Sequence, residues 1–442
     1  MSDRAVGLGD TVLRDLFGTP ELRAALDSTA LVQGWLDAEV ALARAEADVG
    51  VIPESAALRI AAEGHASLFD LEALREGVAE SQHPLVPLIR ALVERCGDEG
   101  GYVHWGATTQ DITDTGMMLQ ARAALTLIRA DLAAATRSAE QLAVVHARDP
   151  MPGRTHGQHA VPIAFGLKAA SWADELGRCL ERIDRVAQDG LCAQLAGAAG
   201  SLASLGADAA AVRSRFAEQL GLREASVGWH VARDRVRELA HVLGQVASAG
   251  ERIAAEIVRL QASEVAELRE PAVAGHVGSS TMPQKRNPMT SEYLIASARL
   301  VHGATAVLEL SSAHAGERDM GLWAIEWIAV PQALILTGSV ASKLAWVLAG
   351  LEVDTARMRQ NLELSGGAIM AEAVMMQLAG SFGHERAHRI VSEASKRAAS
   401  RAIPLAEALL EDPALAGAFT PDAIRQLVAT PDAYLGSSSG PT

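Results

Sequence analysis

Apolar residues recur at helical spacing over long stretches of the chain. Residues 117–149 contain no glycine or proline, and Met118, Leu125, Ile128 and Leu132 follow one another at intervals of three, four or seven residues. This pattern predicts a single helix of 33 residues. At 1.5 Å per residue such a helix is about 50 Å long.

Similar patterns predict helices over residues 165–188, 229–270 and 289–312, and a shorter helix over 29–50. No segment predicts a strand, because runs of β-branched residues are scarce and aromatic residues make up only 4% of the chain. Helices of this length bury their apolar stripes only in a bundle, often with neighbouring subunits. We therefore expect an all-α fold with an N-terminal helical domain (1–110), a central long-helix bundle (111–352) and a C-terminal helical domain (353–442).

Composition and charge exclude several classes of binding partner. The 442 residues are 49% hydrophobic and 21% charged, which is typical of a globular protein with a large core. A net charge of -15 argues against nucleic acid and against membrane surfaces as partners. An anionic substrate would therefore need a local cluster of positive charge.

The cysteines and the N-terminus favour a cytoplasmic location. Cys96, Cys179 and Cys192 are odd in number and have no metal-ligand spacing, which predicts neither a disulfide framework nor a zinc site. The first residues hold no apolar signal segment, and no later stretch predicts a membrane span. Because there is also no phosphate-cradling glycine loop, we expect neither a cofactor nor a metal.

A polar segment, G-S-S-T-M-P-Q-K-R-N-P (residues 278–288), lies between the helical patterns that end near residue 270 and begin near residue 289. A serine hydroxyl, of Ser279 or Ser280, can act as a base when a nearby cation stabilises its alkoxide. Lys285 supplies such a cation, and Asn287 is a neutral donor. The alternative is a solvated surface loop of ordinary turn residues.

A second polar segment, R-T-H-G-Q-H-A-V-P, covers residues 154–162. His156 could be a general acid near neutral pH, with Thr155 and Gln158 as hydrogen-bonding partners of a carboxylate. The alternative is a capping or packed histidine. The pair of histidines three residues apart lacks a carboxylate at ligand spacing, which disfavours metal.

Two further segments, S-Q-H-P (81–84) and H-W-G-A-T-T-Q-D (104–111), each precede a predicted helix. Helix N-termini favour anions, so His83, Thr108, Thr109 and Gln110 are candidate carboxylate contacts. Simple helix capping by Thr109 and the following aspartate is the alternative.

Charged residues also precede the tryptophans of G-E-R-D-M-G-L-W-A-I-E-W, residues 316–327. We expect Glu317, Arg318 and Asp319 to join an internal ion-pair network. A substrate-facing Arg318 is the second interpretation.

Read in order, these segments resemble the fumarase/aspartase superfamily, which includes class II fumarases, aspartases, and argininosuccinate and adenylosuccinate lyases. The loop at 278–288 matches its signature, and the segments at 31–47, 102–116, 197–206, 317–327 and 354–367 add to the likeness. The likeness is strongest to the bacterial 3-carboxy-cis,cis-muconate cycloisomerases.

The resemblance implies a three-domain, all-α subunit whose central bundles form the 20-helix core of a homotetramer. Each active site would be assembled from three subunits, and the substrate would be a small anionic di- or tricarboxylate. The resemblance also implies roles for single residues. Ser279 would be the base, and His156 would give or orient a proton. Lys285 and Asn287 would stabilise the aci-carboxylate, Thr108, Thr109 and Gln110 would bind a carboxylate, and His83 would contact substrate.

Two departures separate the possible reactions. The cycloisomerases usually carry bulky apolar residues where this chain has His156 and Gly157, which favours a lyase. Adenylosuccinate lyases carry phosphate-binding residues where this chain has Gly321, Trp323, Ala324 and Trp327, which argues against a nucleotide substrate. The first hypothesis is therefore a cofactor-independent lyase that eliminates an amine or similar group from a succinyl-type acid. The alternatives are a carboxymuconate cycloisomerase and a non-catalytic helical oligomer.

Overall fold

The computed structural model of the protein describes residues 12–272, 282 and 284–439. Helices dominate these ranges, and the fold is all-α. In chain order they are α1 (Pro20–Leu26), α2 (Ser28–Val49), α3 (Glu54–Glu63), α4 (Leu71–Ser81), α5 (Val86–Cys96), α6 (Thr109–Val145), α7 (Phe165–Arg185), α8 (Ala209–Leu220), α9 (Asp234–Gln261), α10 (Met289–Leu310), α11 (Met320–Ala349), α12 (Thr355–Glu363), α13 (Ala371–Phe382), α14 (His384–Arg401), α15 (Leu405–Leu410) and α16 (Pro421–Ala429).

The long helices predicted from periodicity are confirmed. In α6, Met118, Leu125, Ile128 and Leu132 are all buried, as one apolar stripe requires. Asp27 begins α2 by accepting the amide of residue 30 at 2.8 Å, and a left-handed glycine at position 50 (φ 85°) ends it. Capping chemistry at both ends therefore fixes a helix that lies within one residue of its prediction.

The prediction that the chain holds no strand was wrong. Short strands pair as β1 (Pro150–Thr155) with β2 (Gln158–Ala164), β3 (Cys192–Ala193) with β4 (Arg223–Glu224), and β5 (Leu268–Arg269) with β6 (Glu352–Val353). Only β3 and β4 are parallel. Composition over the whole chain could not reveal β1 and β2, because three prolines hide their pattern and the pairing shifts between Pro152 and Arg154.

The residues group into two compact units. The first contains the chain up to Ala133 together with Leu176–Arg252 and Tyr293–Leu344, and the second contains Ala134–Glu175, Ile253–Glu292 and the chain from Ala345. In the second unit, α13 to α16 enclose an apolar core around Ile390, Leu405 and Leu409. The division into domains 1–110, 111–352 and 353–442 stays a prediction.

Helix α11 passes, by length and composition alone, as a membrane-spanning helix, and it is the only such helix in the described residues. Its most apolar window has a mean hydropathy of 1.4, yet 61% of that window is buried inside the protein. Glu326 lies within the helix and forms an ion pair with Arg233. These features are typical of a core helix.

Candidate active site

The first group of predicted site residues lies where α6 begins, in the first unit. The amide of Thr108 donates to Asp111 Oδ2 (3.0 Å), and the amide of Asp111 donates to the Thr108 carbonyl (2.9 Å), so Asp111 does cap the helix. Thr109 Oγ1 lies 3.5 Å from His83 Nε2, and His83 Nδ1 accepts the amide of Val86 at 3.3 Å. His83 and the two threonines thus meet at helix N-termini, where the helix dipole favours an anion.

Arg318 is connected to this group by hydrogen bonds to uncharged acceptors. Its Nε donates to Gln110 Oε1 (3.0 Å) and its Nη2 to the carbonyl of Ala198 (3.1 Å). Gln110 is fully buried, and its own Nε2 donates to the carbonyl of His230 at 2.9 Å. The ion-pair network expected for residues 317–319 is absent from the described part of the chain. The guanidinium is therefore oriented by an amide, and no acidic side chain of the described residues forms an ion pair with it.

Asp111 also fixes the segment that receives the guanidinium. Its Oδ1 accepts the amide of Ala196 (2.9 Å) and lies 2.8 Å from His230 Nε2, and its Oδ2 accepts the amide of Gly197 at 2.9 Å. Asp111 is fully buried, so these bonds replace its hydration. They hold in place the backbone that carries the carbonyl of Ala198.

A second buried network surrounds Arg233. Its Nη1 donates to Asp114 Oδ2 (2.7 Å), its Nε donates to Glu326 Oε1 (2.9 Å), and Trp323 Nε1 donates to Asp114 Oδ1 at 2.8 Å. Burial alone would lower the pKa of Arg233, but the two carboxylates raise it above its ordinary value. Trp323 is thus held in the core by Asp114.

Sequence reasoning missed Asp111, Asp114, His230, Arg233 and Glu326 as members of these networks. One signal was present: Glu326 lies between apolar residues in W-A-I-E-W, where an acid without a partner would be costly to bury. The identity of its partner could not be deduced, since the residues that meet here lie far apart along the chain.

In the second unit, His156 lies at the tip of the β1–β2 hairpin. His156 (φ 52°) and Gly157 (φ 76°) are both left-handed and form the two-residue turn, while Thr155 pairs with Gln158. All four residues are exposed. The hairpin therefore presents the imidazole to solvent, and the imidazole neither caps a helix nor packs in a core.

The signature loop is only partly described. Ser279 and Ser280 lie outside the described residues, so their predicted roles stay predictions. Lys285 is exposed and Asn287 is half-buried, just before α10 begins. Between them, Arg286 donates to both carboxylate oxygens of Glu352, at 3.1 and 2.9 Å. The segment that carries Lys285 and Asn287 is thereby tied to β6.

The predicted site residues form two groups. His83, Thr108, Thr109, Gln110 and Arg318 belong to the first unit, whereas Thr155, His156, Gln158, Lys285 and Asn287 belong to the second. Across the described ranges, no cluster of three or more His, Cys, Asp or Glu side chains is arranged to hold a metal ion. All three cysteines lie in these ranges and are buried, and no disulfide joins them.

Comparison with known proteins places this arrangement in a family. A family model described as lyase matches residues 17–303, and a model described as the adenylosuccinate lyase C-terminus matches residues 367–440. The 3-carboxy-cis,cis-muconate cycloisomerase of Bradyrhizobium diazoefficiens is 39% identical, over 97% of this chain and 95% of its own length. The N-acetyl-S-(2-succino)cysteine lyase of Enterococcus italicus is 37% identical, over 96% of this chain and 93% of its own length.

A solved structure agrees with these relatives. The crystal structure of 3-carboxy-cis,cis-muconate lactonizing enzyme from Pseudomonas putida matches with a TM-score of 0.91 and 36% identity, over 97% of both chains. The likeness thus extends over both units and nearly the whole sequence. The chain therefore belongs to the fumarase/aspartase superfamily and is an enzyme with lyase-type or isomerase activity.

Proposed function

We propose that the enzyme is a cofactor-independent lyase acting on a succinyl-type di- or tricarboxylate. It removes a proton α to a carboxylate and eliminates an amine or similar group from the adjacent carbon, which gives fumarate or a related unsaturated acid. The observation that carries this proposal is Arg318, a half-buried guanidinium whose hydrogen bonds go only to neutral acceptors among the described residues. Beside the N-terminus of α6, it favours a carboxylate even though the whole chain is acidic.

The proposed reaction needs two proton transfers: one removes a proton from the carbon next to the carboxylate, and the other gives a proton to the leaving group. Ser279 takes the proton from the carbon next to the carboxylate, with Ser280 beside it, and the electron pair becomes the carbon–carbon double bond. Lys285 and Asn287 bind the carboxylate and stabilise its aci form, where fixed positive charge has its largest effect. His156 returns a proton to the departing group, so that the group leaves neutral.

The leaving group is proposed to be small and free of phosphate. Trp323 is buried and donates to Asp114, so it offers no partner to a nucleotide phosphate. One relative is named for N-acetyl-S-(2-succino)cysteine, which adds a thiol to the amines as a candidate leaving group. Succinylated amines and succinylated thiols are therefore both tested.

The second candidate function is a 3-carboxy-cis,cis-muconate cycloisomerase, in which a carboxylate adds within the same molecule. It is supported by the relative of that name, which matches 97% of this chain. The lyase is favoured because the hairpin presents a polar, exposed His156 at its tip. The third reading, a non-catalytic helical oligomer, predicts no turnover of any of these acids.

We further propose a cytoplasmic homotetramer with active sites shared between three subunits. In the first unit, α10 and α11 expose Leu310 (82%) and Ile328 (72%), and a cavity of about 440 Å³ between these helices is lined mainly by apolar side chains. Apolar surface of this kind is usually covered by a partner. Light scattering coupled to size-exclusion chromatography tests the tetramer.

A substrate screen tests the reaction. Purified enzyme is incubated with argininosuccinate, N-acetyl-S-(2-succino)cysteine and 3-carboxy-cis,cis-muconate, and ultraviolet absorbance is followed. A rise from a new unsaturated dicarboxylate supports the lyase, whereas loss of the muconate chromophore alone supports the cycloisomerase. Turnover of none of the three would contradict both readings.

Two substitutions test the assigned residues. Ser279→Ala should abolish turnover while the oligomer and its melting temperature stay nearly unchanged, and Ser400→Ala, at an exposed serine of α14, serves as the matched control. Near-wild-type turnover in Ser279→Ala would sink the base assignment. His156→Ala should slow the lyase strongly, by roughly 100-fold or more for a general acid. An unaffected rate would favour the cycloisomerase.

A further inference from the structure

A buried ion pair lies next to the tip of the hairpin that carries His156. Arg154 donates from Nη1 to Glu267 Oε2 (2.8 Å) and from Nη2 to Glu267 Oε1 (2.6 Å). The side chain of Arg154 is 9% exposed and that of Glu267 is 0% exposed. A two-point contact of this kind fixes both the distance and the orientation of the guanidinium. Because the pair is buried, removing one partner leaves an uncompensated charge.

Glu267 is itself held from several sides within the second unit. Asn361 donates from Nδ2 to Glu267 Oε1 and to the carbonyl of Val265, both at 2.8 Å. The amide of Glu267 donates to the carbonyl of Leu260 (2.9 Å), and its carbonyl accepts the amide of Asp354 (3.0 Å). The carboxylate is therefore a fixed point to which the hairpin is fastened.

The position of Arg154 makes this contact relevant to the hairpin tip. Arg154 stands two residues before His156, and it pairs across the hairpin with His159. A two-stranded hairpin is by itself only marginally stable, so the position of its tip depends on side-chain contacts close to the tip, such as that of Arg154. A shift of the backbone at Arg154 would therefore also displace the imidazole of His156.

We propose that Glu267 is a positioning residue for His156, which it holds in place through the Arg154 guanidinium. This inference rests on the proposed function, in which His156 gives the proton to the leaving group. A displacement of about 1 Å at a reacting group can lower a rate about 100-fold. The contribution of Glu267 is thus to the rate of the bond-breaking step.

The carboxylate-binding residues of the same unit have a separate attachment. Arg286 ties the segment of Lys285 and Asn287 to Glu352 of β6 and to the carbonyl of Glu270. Loss of the Glu267 carboxylate leaves these bonds intact. The effect on kcat should therefore be large and the effect on KM small.

The test compares Glu267→Gln with Glu256→Gln in the full-length enzyme. Glu256 pairs with Lys168 (Nζ–Oε1 2.6 Å) in the same unit, between α9 and α7, and so provides the same substitution away from the hairpin. Hydrogen exchange is measured over residues 150–164, and kcat and KM are measured with the best substrate of the screen. Glu267→Gln should speed exchange in the hairpin and lower kcat about 100-fold, with KM within about threefold. Glu256→Gln should do neither.

Asn361→Ala is a milder second variant, because it removes one hydrogen bond to the Glu267 carboxylate and one to the carbonyl of Val265, and leaves the ion pair. Asn361→Ala should also speed hydrogen exchange over residues 150–164 and lower kcat, but by less than Glu267→Gln does. It replaces Glu267→Gln in the test if that variant does not fold. Wild-type exchange and wild-type kcat in a folded Glu267→Gln or Asn361→Ala enzyme would overturn the proposal, as would a rise in KM equal to the fall in kcat.

Failure of the proposed function gives a different result. In that case the wild-type enzyme eliminates nothing from the succinylated acids, or His156→Ala keeps the full rate. Hydrogen exchange over residues 150–164 still reports whether Glu267 holds the hairpin, because that measurement needs no substrate.

Discussion

Glu46 allows a quantitative test of the fold through the pH dependence of stability. It lies on α2 and is fully buried, and neither of its carboxyl oxygens has a hydrogen-bond partner within the described part of the chain. Burial, with a smaller contribution from Glu39, raises its pKa from 4.5 to about 9. The folded protein therefore keeps this side chain protonated at pH 7, whereas the unfolded chain releases the proton.

The magnitude follows from the difference between the two pKa values. A carboxyl whose pKa is raised on folding contributes its full stability below pH 4.5 and loses it as the pH rises towards 9. Each unit of pH in that window corresponds to about 1.4 kcal/mol. At pH 7 ionisation of the unfolded chain has therefore lowered the free energy of unfolding by about 3 kcal/mol.

Glu46→Gln should remove this loss, because an amide of the same shape cannot ionise. The variant should match the wild type near pH 4.5 and exceed it by up to about 3 kcal/mol at pH 7. Thermal unfolding midpoints from pH 4.5 to pH 8, at one protein concentration, measure the difference. Asp48→Asn, at an exposed position of the same helix, is the control and should change neither the midpoint nor its slope with pH. Equal pH slopes in Glu46→Gln and the wild type would refute the reasoning.

Three further substitutions test the candidate site and its supports. Arg318→Gln removes the guanidinium and should raise KM by roughly 10-fold or more, since charged hydrogen bonds contribute about 1.5–3 kcal/mol; steady-state kinetics with an unchanged KM would count against carboxylate binding there. Asp111→Asn weakens the acceptor for His230 and for two buried amides, and should lower the unfolding free energy by about 2 kcal/mol; an unaltered melting curve would contradict this role. Gly157→Val places a β-branched residue at a φ of 76° and should loosen the hairpin and slow turnover, whereas Gly157→Asn should be tolerated; equal hydrogen exchange over residues 150–164 in the two variants would exclude backbone strain as the cause.

The long helices were predictable because their apolar spacing is a local property of the sequence. Their ends were less so, as α9 shows: the pattern continued to residue 270, but the helix ends at Gln261. No glycine or proline interrupts residues 262–270. Instead Ala266 becomes left-handed (φ 52°), Glu267 binds Arg154, and residues 268–269 pair with β6. The partners that end this helix are distant in sequence, and no local pattern records them.

Some features of the candidate site were likewise predictable from the local sequence, and others were not. Thr108, Thr109 and His83 could be placed at helix starts, because small hydroxyls before an apolar run are a local signal. The pairing of Arg233 with Asp114 could not, since 119 residues separate them. The tip position of His156 was also missed, because a His-Gly pair is not one of the strong turn signals. The candidate residues could thus be predicted from the local sequence, whereas the long-range contacts that orient their side chains could not.

Each unit is built from three separate stretches of chain, and this has a consequence during protein synthesis. The first unit needs Tyr293–Leu344, so a fragment that ends at Arg252 would contain Arg233 and Asp114 without Glu326 and Trp323. The second begins at Ala134 but needs residues beyond Ala345. A nascent chain therefore exposes unfinished apolar faces until most of it has left the ribosome, which makes chaperone contact during translation and loss of truncated products the expected behaviour.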